Sequence, residues 1–338
     1  MDLNILWFAL IVVLFTGFFF LEGFDYGVGM LLHFVGKTDK ERQLVLRTIL
    51  PVWDGNEVWM ITAGGASFAA FPHLYATMFS TFYLALFLML VALILRGVAF
   101  ELRGRRDSAV WRSGWDKCIT FGSVVPAFLW GVAVTDLIAG LPIDANMTYM
   151  SGFFGLLSPY SIVGGLAFVF VFAFHGAAFL TMRLADKSLI LRVQDVAKKA
   201  GALAVIFFVL CMALTYVYTD LYANPFAAGA LVLAAVVFLA SYANVVKKAT
   251  TAGFVCSGLA VALTVVAFFL GLFPRLMVSS LSPEYSLTIY NASSTPYTLS
   301  IMTIAAGCLV PIILCYQIWT YYIFRKRVSP NDSGHQAY

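Results

Sequence analysis

The sequence predicts an all-α, polytopic membrane protein with about nine transmembrane helices, its N-terminus outside and its C-terminus cytoplasmic. Three observations lead there. The 338 residues are 62% hydrophobic and 11% charged, with a mean hydropathy of +0.90, whereas a soluble domain carries about 25% charged residues. Apolar runs long enough to cross a bilayer recur along the chain. Lys and Arg cluster in alternate connections between those runs, which is the pattern that sets orientation.

The expected spans are roughly 5–34, 55–72, 74–102, 116–138, 160–184, 199–219, 226–246, 253–275 and 299–324. The first follows Met1-Asp2-Leu3-Asn4, which lacks the positive n-region of a signal peptide, and its apolar run is too long for an h-region, so it reads as a retained helix. The second is short and separated from the third only by Pro72-His73, read as a tight turn. With the N-terminus outside, the inner connections hold Lys37, Lys40, Arg42 and Arg47, then Arg103, Arg105, Arg106, Arg112 and Lys117. After these come Arg183, Lys187, Arg192, Lys198 and Lys199, then Lys247 and Lys248, and finally Arg325, Lys326 and Arg327. The outer loops hold only Arg275, and an eight-span count would put some clusters on the wrong side.

Two outer loops are long, about 139–159 and 276–298, and rich in Ser, Asn, Thr, Pro and Tyr. Their sequons, Asn146-Met147-Thr148 and Asn291-Ala292-Ser293, read as turn chemistry before glycosylation. Residues 1–327 form one transmembrane domain, and 328–338 read as a disordered cytoplasmic tail. The pI of about 8.7 does not point to nucleic acid, because the basic residues sit in short loops. Cys118, Cys211, Cys256, Cys308 and Cys315 fall in apolar segments without C-x-x-C spacing, so they read as small buried apolar residues, with neither a disulfide framework nor a metal site.

Acids inside apolar spans are costly and point to function. Glu22 and Asp25 are three apart on the first helix, hence on one face, about 26 Å along it at 1.5 Å per residue and so in the inner part of the membrane. Gly23, Gly27 and Gly29 let a neighbouring helix approach. Asp54 and Glu57 stand at the inner start of the second span with the same spacing. Arg96 lies about six residues, roughly 9 Å, from the inner end of the third, so all five can share one depth. Such a cluster offers a chain of titratable groups open toward the cytoplasm. The plainer alternatives are that Asp54 is an N-cap with Glu57 at N3 of a capping box, that Arg96 is a structural counter-ion, and that Glu22 and Asp25 only fix packing. Of the histidines, His33 is near the end of the first helix, His73 in a turn and His335 in the tail. Only His175, in mid-helix, sits where a haem iron could, and a hydrogen bond within the bundle is its other reading.

Leu21-Glu22-Gly23-Phe24-Asp25-Tyr26-Gly27-Val28-Gly29 and Trp53-Asp54-Gly55-Asn56-Glu57-Val58-Trp59 resemble the two signatures of subunit II of cytochrome bd quinol oxidases. Ile61-Thr62-Ala63-Gly64-Gly65 and the stretch from Asn291-Ala292-Ser293 to Thr303 fit as well, so the resemblance covers essentially the whole chain. It implies two four-helix bundles, about 5–138 and 160–275, plus a peripheral helix at about 299–324. It also implies a partner, subunit I, that carries haems b, haem d and the quinol site, while this chain binds no cofactor directly; a structural quinone stays open. Small single-helix subunits and membrane lipid are further partners, with quinol and oxygen as the substrates of the complex and no nucleic acid. Asp54 would belong to a proton route from the cytoplasm to the oxygen site, joined by Glu22, Asp25 and Glu57, with Arg96 as counter-ion. Some relatives carry Asp in place of Glu22 and Gln in place of Glu57, which bears on the geometry of the first and makes the second dispensable. The expected function is therefore support of the haem subunit and proton supply in an electrogenic, non-pumping quinol oxidase of a bacterial or archaeal cytoplasmic membrane. A proton-coupled secondary transporter is the alternative, and it would favour acids at the midplane and inverted repeats. A haem carried on His175 is a third reading.

Overall fold

The computed structural model describes residues 2–330. Eleven α-helices are found among them: α1 (Leu3–Val35), α2 (Asp39–Arg47), α3 (Trp53–Ala70), α4 (Pro72–Thr81), α5 (Tyr83–Leu102), α6 (Ala109–Ala139), α7 (Pro159–Arg183), α8 (Lys187–Tyr218), α9 (Pro225–Val246), α10 (Thr250–Leu272) and α11 (Pro296–Ile323). Eight of these, α1 and α5 to α11, are long and apolar enough to cross a membrane, which makes the chain a multi-pass membrane protein. The remaining expected span, 55–72, is α3, whose 18 residues carry Asp54, Asn56, Glu57, Thr62 and Ser67 among the apolar ones.

The hub is α1, packed by α3, α6, α7 and α10. Helix α1 crosses α7 at a pair of glycines. A Cβ on Gly27 would lie 2.0 Å from the Phe172 carbonyl oxygen, and one on Gly176 would lie 2.5 Å from the Gly27 backbone. Close backbone approach at small residues is the usual way helices associate in lipid, where apolar burial gives no drive. Around this crossing Phe18, Phe24, Leu32, Phe172 and Phe174 form a core with the start of the polypeptide's second half. Helix α11 is peripheral, with Leu299 as its one buried residue. Cys308 and Cys315 on it are exposed, contrary to the expectation of burial, because this helix turns most of its surface away from the chain.

Three local expectations are corrected. The run 74–102 is not one helix: it bends at Phe82 (φ −95°, ψ 18°) into α4 and α5. Ser80 and Thr81 turn their hydroxyls back onto the Ala76 and Thr77 carbonyls just before the bend, a contact that bends helices. The 37–52 connection contains α2, capped by a reciprocal Thr38–Glu41 capping box. Helices α6 and α8 begin well before the apolar runs at 116 and 199, since hydropathy marks where lipid ends and a helix can continue into water. The two long loops meet: Arg275–Met277 (β1) pairs antiparallel with Leu287–Thr288 (β2), and the Ser279 hydroxyl donates to the Ile143 carbonyl at 2.7 Å. At the start of the expected disordered tail, the Val328 N–H donates to the Arg183 carbonyl at 2.8 Å; residues 331–338, His335 included, lie outside the described residues.

Candidate functional site

Helix α5 can bury Arg96 because α6 presents Gly122 to it. A Cβ there would fall 2.5 Å from the Arg96 Cβ. The guanidinium therefore reaches α1 and α3 instead of lipid. Its Nη1 donates to Glu22 Oε1 and, at 3.2 Å, to Glu57 Oε1. It lies 4.8 Å above the Tyr26 ring and 5.6 Å from the Phe100 ring, a cation–π environment that offsets part of its desolvation. Glu22, Asp25 and Arg96 are fully buried, whereas the Glu57 side chain retains 20% exposure.

Asp25 is held separately. Asn56 Nδ2 donates to its Oδ2 at 2.6 Å, and the Tyr321 hydroxyl donates to Asn56 Oδ1 at 2.7 Å. The amide orientation follows from these partners, since only the NH2 group can donate to a carboxylate. Glu22 Oε2, Asp25 Oδ1, and Arg96 Nε and Nη2 are buried with no hydrogen-bond partner among the described residues. In an apolar setting such atoms are expensive.

Thus Glu22, Asp25, Glu57 and Arg96 do come to one place. Asp54 does not join them by contact. It is exposed, one helical turn before Glu57. Nor is it a cap: the N-cap of α3 is Val52, without a side-chain bond. The turn at 48–52 feeds directly into the helix, with Trp53 N–H on the Ile49 carbonyl and Asn56 N–H, a donor that an Asp54 cap would serve, on the Val52 carbonyl. Sequence reasoning missed Asn56 and Tyr321. Asn56 carried a signal, a carboxamide at the polar start of a span; Tyr321, 265 residues away, carried none.

A second charged group was also missed. Asp116 on α6 is fully buried; Arg103 Nε donates to its Oδ1 at 2.6 Å and Arg42 Nη1 to its Oδ2 at 3.1 Å. Arg103 also pairs with Asp39 at 2.6 Å, and Arg192 with Glu41 at 2.9 Å. The Arg192 hydrogen bond, with backbone N–H groups of Thr38 and Lys37, holds the Glu41 carboxyl below its ordinary value. These pairs fasten α2 to α6 and α8.

His175 is fully buried, and both of its nitrogens are engaged. Nε2 faces the Phe20 carbonyl at 3.0 Å and must donate; Nδ1 then accepts from the Ser257 hydroxyl at 2.6 Å. The ring stacks on Phe254. A neutral imidazole so placed has no lone pair free for an iron. His33 meets Thr120 at 3.3 Å and His73 is exposed near the start of α4. Among the described residues no group of three or more His, Cys, Asp or Glu is arranged to hold a metal ion.

Comparison with known proteins gives a consistent result. The family model described as "Cytochrome bd terminal oxidase subunit II" matches residues 3–324. The chain is 44% identical over 337 residues to cytochrome bd ubiquinol oxidase subunit 2 of Bacillus subtilis, covering 98% of both. It is 35% identical over 365 residues to cytochrome bd-I ubiquinol oxidase subunit 2 of Escherichia coli, covering 98% of this chain and 96% of that one. Its fold matches a chain of the solved bd oxidase from Geobacillus thermodenitrificans with a TM-score of 0.76, over 96% of this chain and 100% of that chain at 18% identity.

Proposed function

The chain belongs to the cytochrome bd terminal oxidase subunit II family, and from that premise we propose that it is the proton-supplying, haem-free subunit of a quinol:oxygen oxidoreductase. Its partner is a subunit I that carries haems b, haem d and the quinol site, in the bacterial cytoplasmic membrane, with small single-helix subunits joining the complex. Quinol oxidation supplies electrons, and reduction of oxygen to water consumes as many protons as electrons. Taking those protons from the cytoplasm and releasing quinol protons outside separates charge without a pump.

One observation carries the proton role: a single buried guanidinium shared by carboxylates from α1 and α3, with more acid than base around it. A group meant only to hold helices together is fully paired, whereas here Glu22 Oε2 and Asp25 Oδ1 are left over. Asp54, exposed at the start of α3, receives a proton from solvent. Glu57, one turn on and still partly exposed, assists the transfer toward Glu22 and Asp25 without being indispensable to it. Arg96 keeps the acids together in an apolar surrounding, where burying them unpaired costs several kcal/mol per ion.

The membrane arrangement proposed with this role has nine crossings, α3 supplying the ninth. The N-terminus is outside and the C-terminus cytoplasmic; α1 and α3–α6 form one bundle, α7–α10 the other. Reporter fusions at Lys37 and Ser286 should land on opposite sides of the membrane; the same side for both would refute it.

The decisive variant is Asp54→Asn. Since Asp54 makes no cap, Asn removes only the ability to exchange a proton. Quinol-driven oxygen consumption per haem d should fall about tenfold or more, about 1.4 kcal/mol per factor of ten, with haem content near normal. Undiminished turnover would remove Asp54 from the route.

A further inference from the structure

A cleft of about 530 Å³ opens between α11 and the hub, at the end where α7 and α11 finish and α3 begins. Its volume falls within the range of about 300–1,000 Å³ usual for small-molecule sites. Its lining is graded. Phe20, Phe24, Phe179 and Phe254 form the deep wall, and Arg183 and Arg325 stand at the helix ends. An amphipathic wall of this kind suits a molecule with an apolar tail and a charged head.

The sign of that head follows from the arginines. Arg96 and Arg103, the other largely buried arginines, each have carboxylate partners. Arg183 is 8% exposed, yet among the described residues no carboxylate pairs with it; its Nη1 donates to the Lys326 carbonyl at 2.6 Å. Arg325, which is exposed, meets only neutral groups among the described residues, the Tyr322 carbonyl at 2.6 Å and the Tyr322 ring at 3.7 Å. Lys326 and Arg327 follow in sequence and add charge of the same sign. A mostly buried guanidinium without an anion is costly, and carbonyl oxygens offset only part of that cost. On the α11 wall the Gln317 amide also keeps its Nε2 buried without an acceptor, its Oε1 being taken by Trp59.

We propose that this cleft binds one anionic glycerophospholipid, its phosphate on Arg183 and Arg325 and an acyl chain between the aromatic wall and α11. A phosphate supplies the missing negative charge, and its oxygens match the planar donor fork of arginine. An ester carbonyl is the class of acceptor that Gln317 Nε2 lacks. The bound lipid would tie α11, which buries little of itself, to α1 and α7. A neutral isoprenoid ligand fits the apolar wall but leaves the mostly buried Arg183 without a counter-charge.

The test is native mass spectrometry of the purified, delipidated oxidase complex titrated with phosphatidylglycerol or phosphatidylcholine. The complex should retain one phosphatidylglycerol with a preference of about tenfold or more over phosphatidylcholine, a difference of about 1.4 kcal/mol. Combined Arg183→Gln and Arg325→Gln should abolish that preference. Arg183→Lys should keep it, and Arg105→Gln, at an exposed arginine elsewhere, should leave it unchanged. Ile318→Trp, which fills the cleft and leaves the cations in place, should lose the lipid outright. If the double variant does not assemble, Arg325→Gln alone, expected to lower phosphatidylglycerol retention severalfold, and Ile318→Trp, expected to lose the lipid, decide the matter. Equal retention of the two lipids, unchanged retention in these variants, or a neutral quinone recovered in one-to-one amount and displaced by Ile318→Trp would overturn the proposal.

Discussion

Arg96 and Arg103 are seven residues apart on one stretch of helix, about 10 Å along its axis, yet they sit in contrasting charge clusters. Around Arg103 the carboxylates are matched by arginines, although Arg112 Nε meets Asp39 only as an ion pair, without a hydrogen bond. Asp116 has both oxygens engaged, by Arg103 and Arg42, and Asp39 receives Arg103 and Arg112. Arginines from three segments neutralise two acids near the helix ends, and the result is a clamp for α2. Around Arg96 one cation faces Glu22 and Glu57, with Asp25 one turn away, and five polar atoms there, the Tyr26 hydroxyl included, have no hydrogen-bond partner among the described residues. Ion pairs of similar geometry thus serve different ends. The better-paired cluster ties helices together, and under the proposed function the less completely paired one, deep among apolar side chains, is where acids would exchange a proton.

The sharpest way to break that contrast is to remove each arginine. Arg96→Met strands Glu22 in an apolar interior and should cost about 3–5 kcal/mol, seen as loss of assembled, haem-containing complex. Arg103→Met leaves Arg42 on Asp116 and should cost about 1–3 kcal/mol, with assembly reduced but detectable. Equal losses would mean that both clusters are structural in the same sense.

A smaller effect separates stability from turnover. Asp116→Asn should lower the melting temperature of the complex, while oxygen consumption per haem d stays within about twofold of the parent, less than 0.5 kcal/mol in barrier. A tenfold loss of turnover with normal assembly, the result expected of Asp54→Asn, would move Asp116 into the proton route.

The smallest effect is the pH response of the clamp. The Arg192 hydrogen bond lowers the Glu41 carboxyl in the folded chain. A lowered acid contributes stability that is fully present above its unfolded value, about 4.3, and is lost as pH falls through the lower folded value. Hydrogen exchange of α2 should therefore accelerate below about pH 4. Glu41→Gln should flatten that response and cost about 1 kcal/mol at neutral pH. An α2 that stays equally protected at pH 3 and pH 7 would remove Glu41 from the clamp.

Much of the fold was legible because its signals are local. Hydropathy located the eight long apolar helices, although not the break between α4 and α5 or the early starts of α6 and α8. The helical period put Glu22 and Asp25 on one face, and the Thr38–Glu41 capping box was there to be read, although the capping box weighed as an alternative was Asp54 with Glu57. That alternative fails for a physical reason: a D-x-x-E spacing makes a capping box only where the helix begins at the Asp, and here it begins at Trp53, with the Asn56 N–H already on the Val52 carbonyl.

By itself, then, the sequence determined a multi-pass helical protein of this family, the glycine-lined close approach of α1, and the helix segments that carry the acids. Tertiary structure decided which of those groups meet. Glu22 and Arg96 are 74 residues apart, and Asn56 and Tyr321 are 265 apart. Their contact depends on how α1, α3, α5 and α11 cross and rotate about their axes. Those crossings are set by steric fit at a few small residues, Gly27 against Gly176 and Gly122 against Arg96. Local periodicity fixes which face of a helix a side chain occupies, whereas only the packing of whole helices fixes what that face meets.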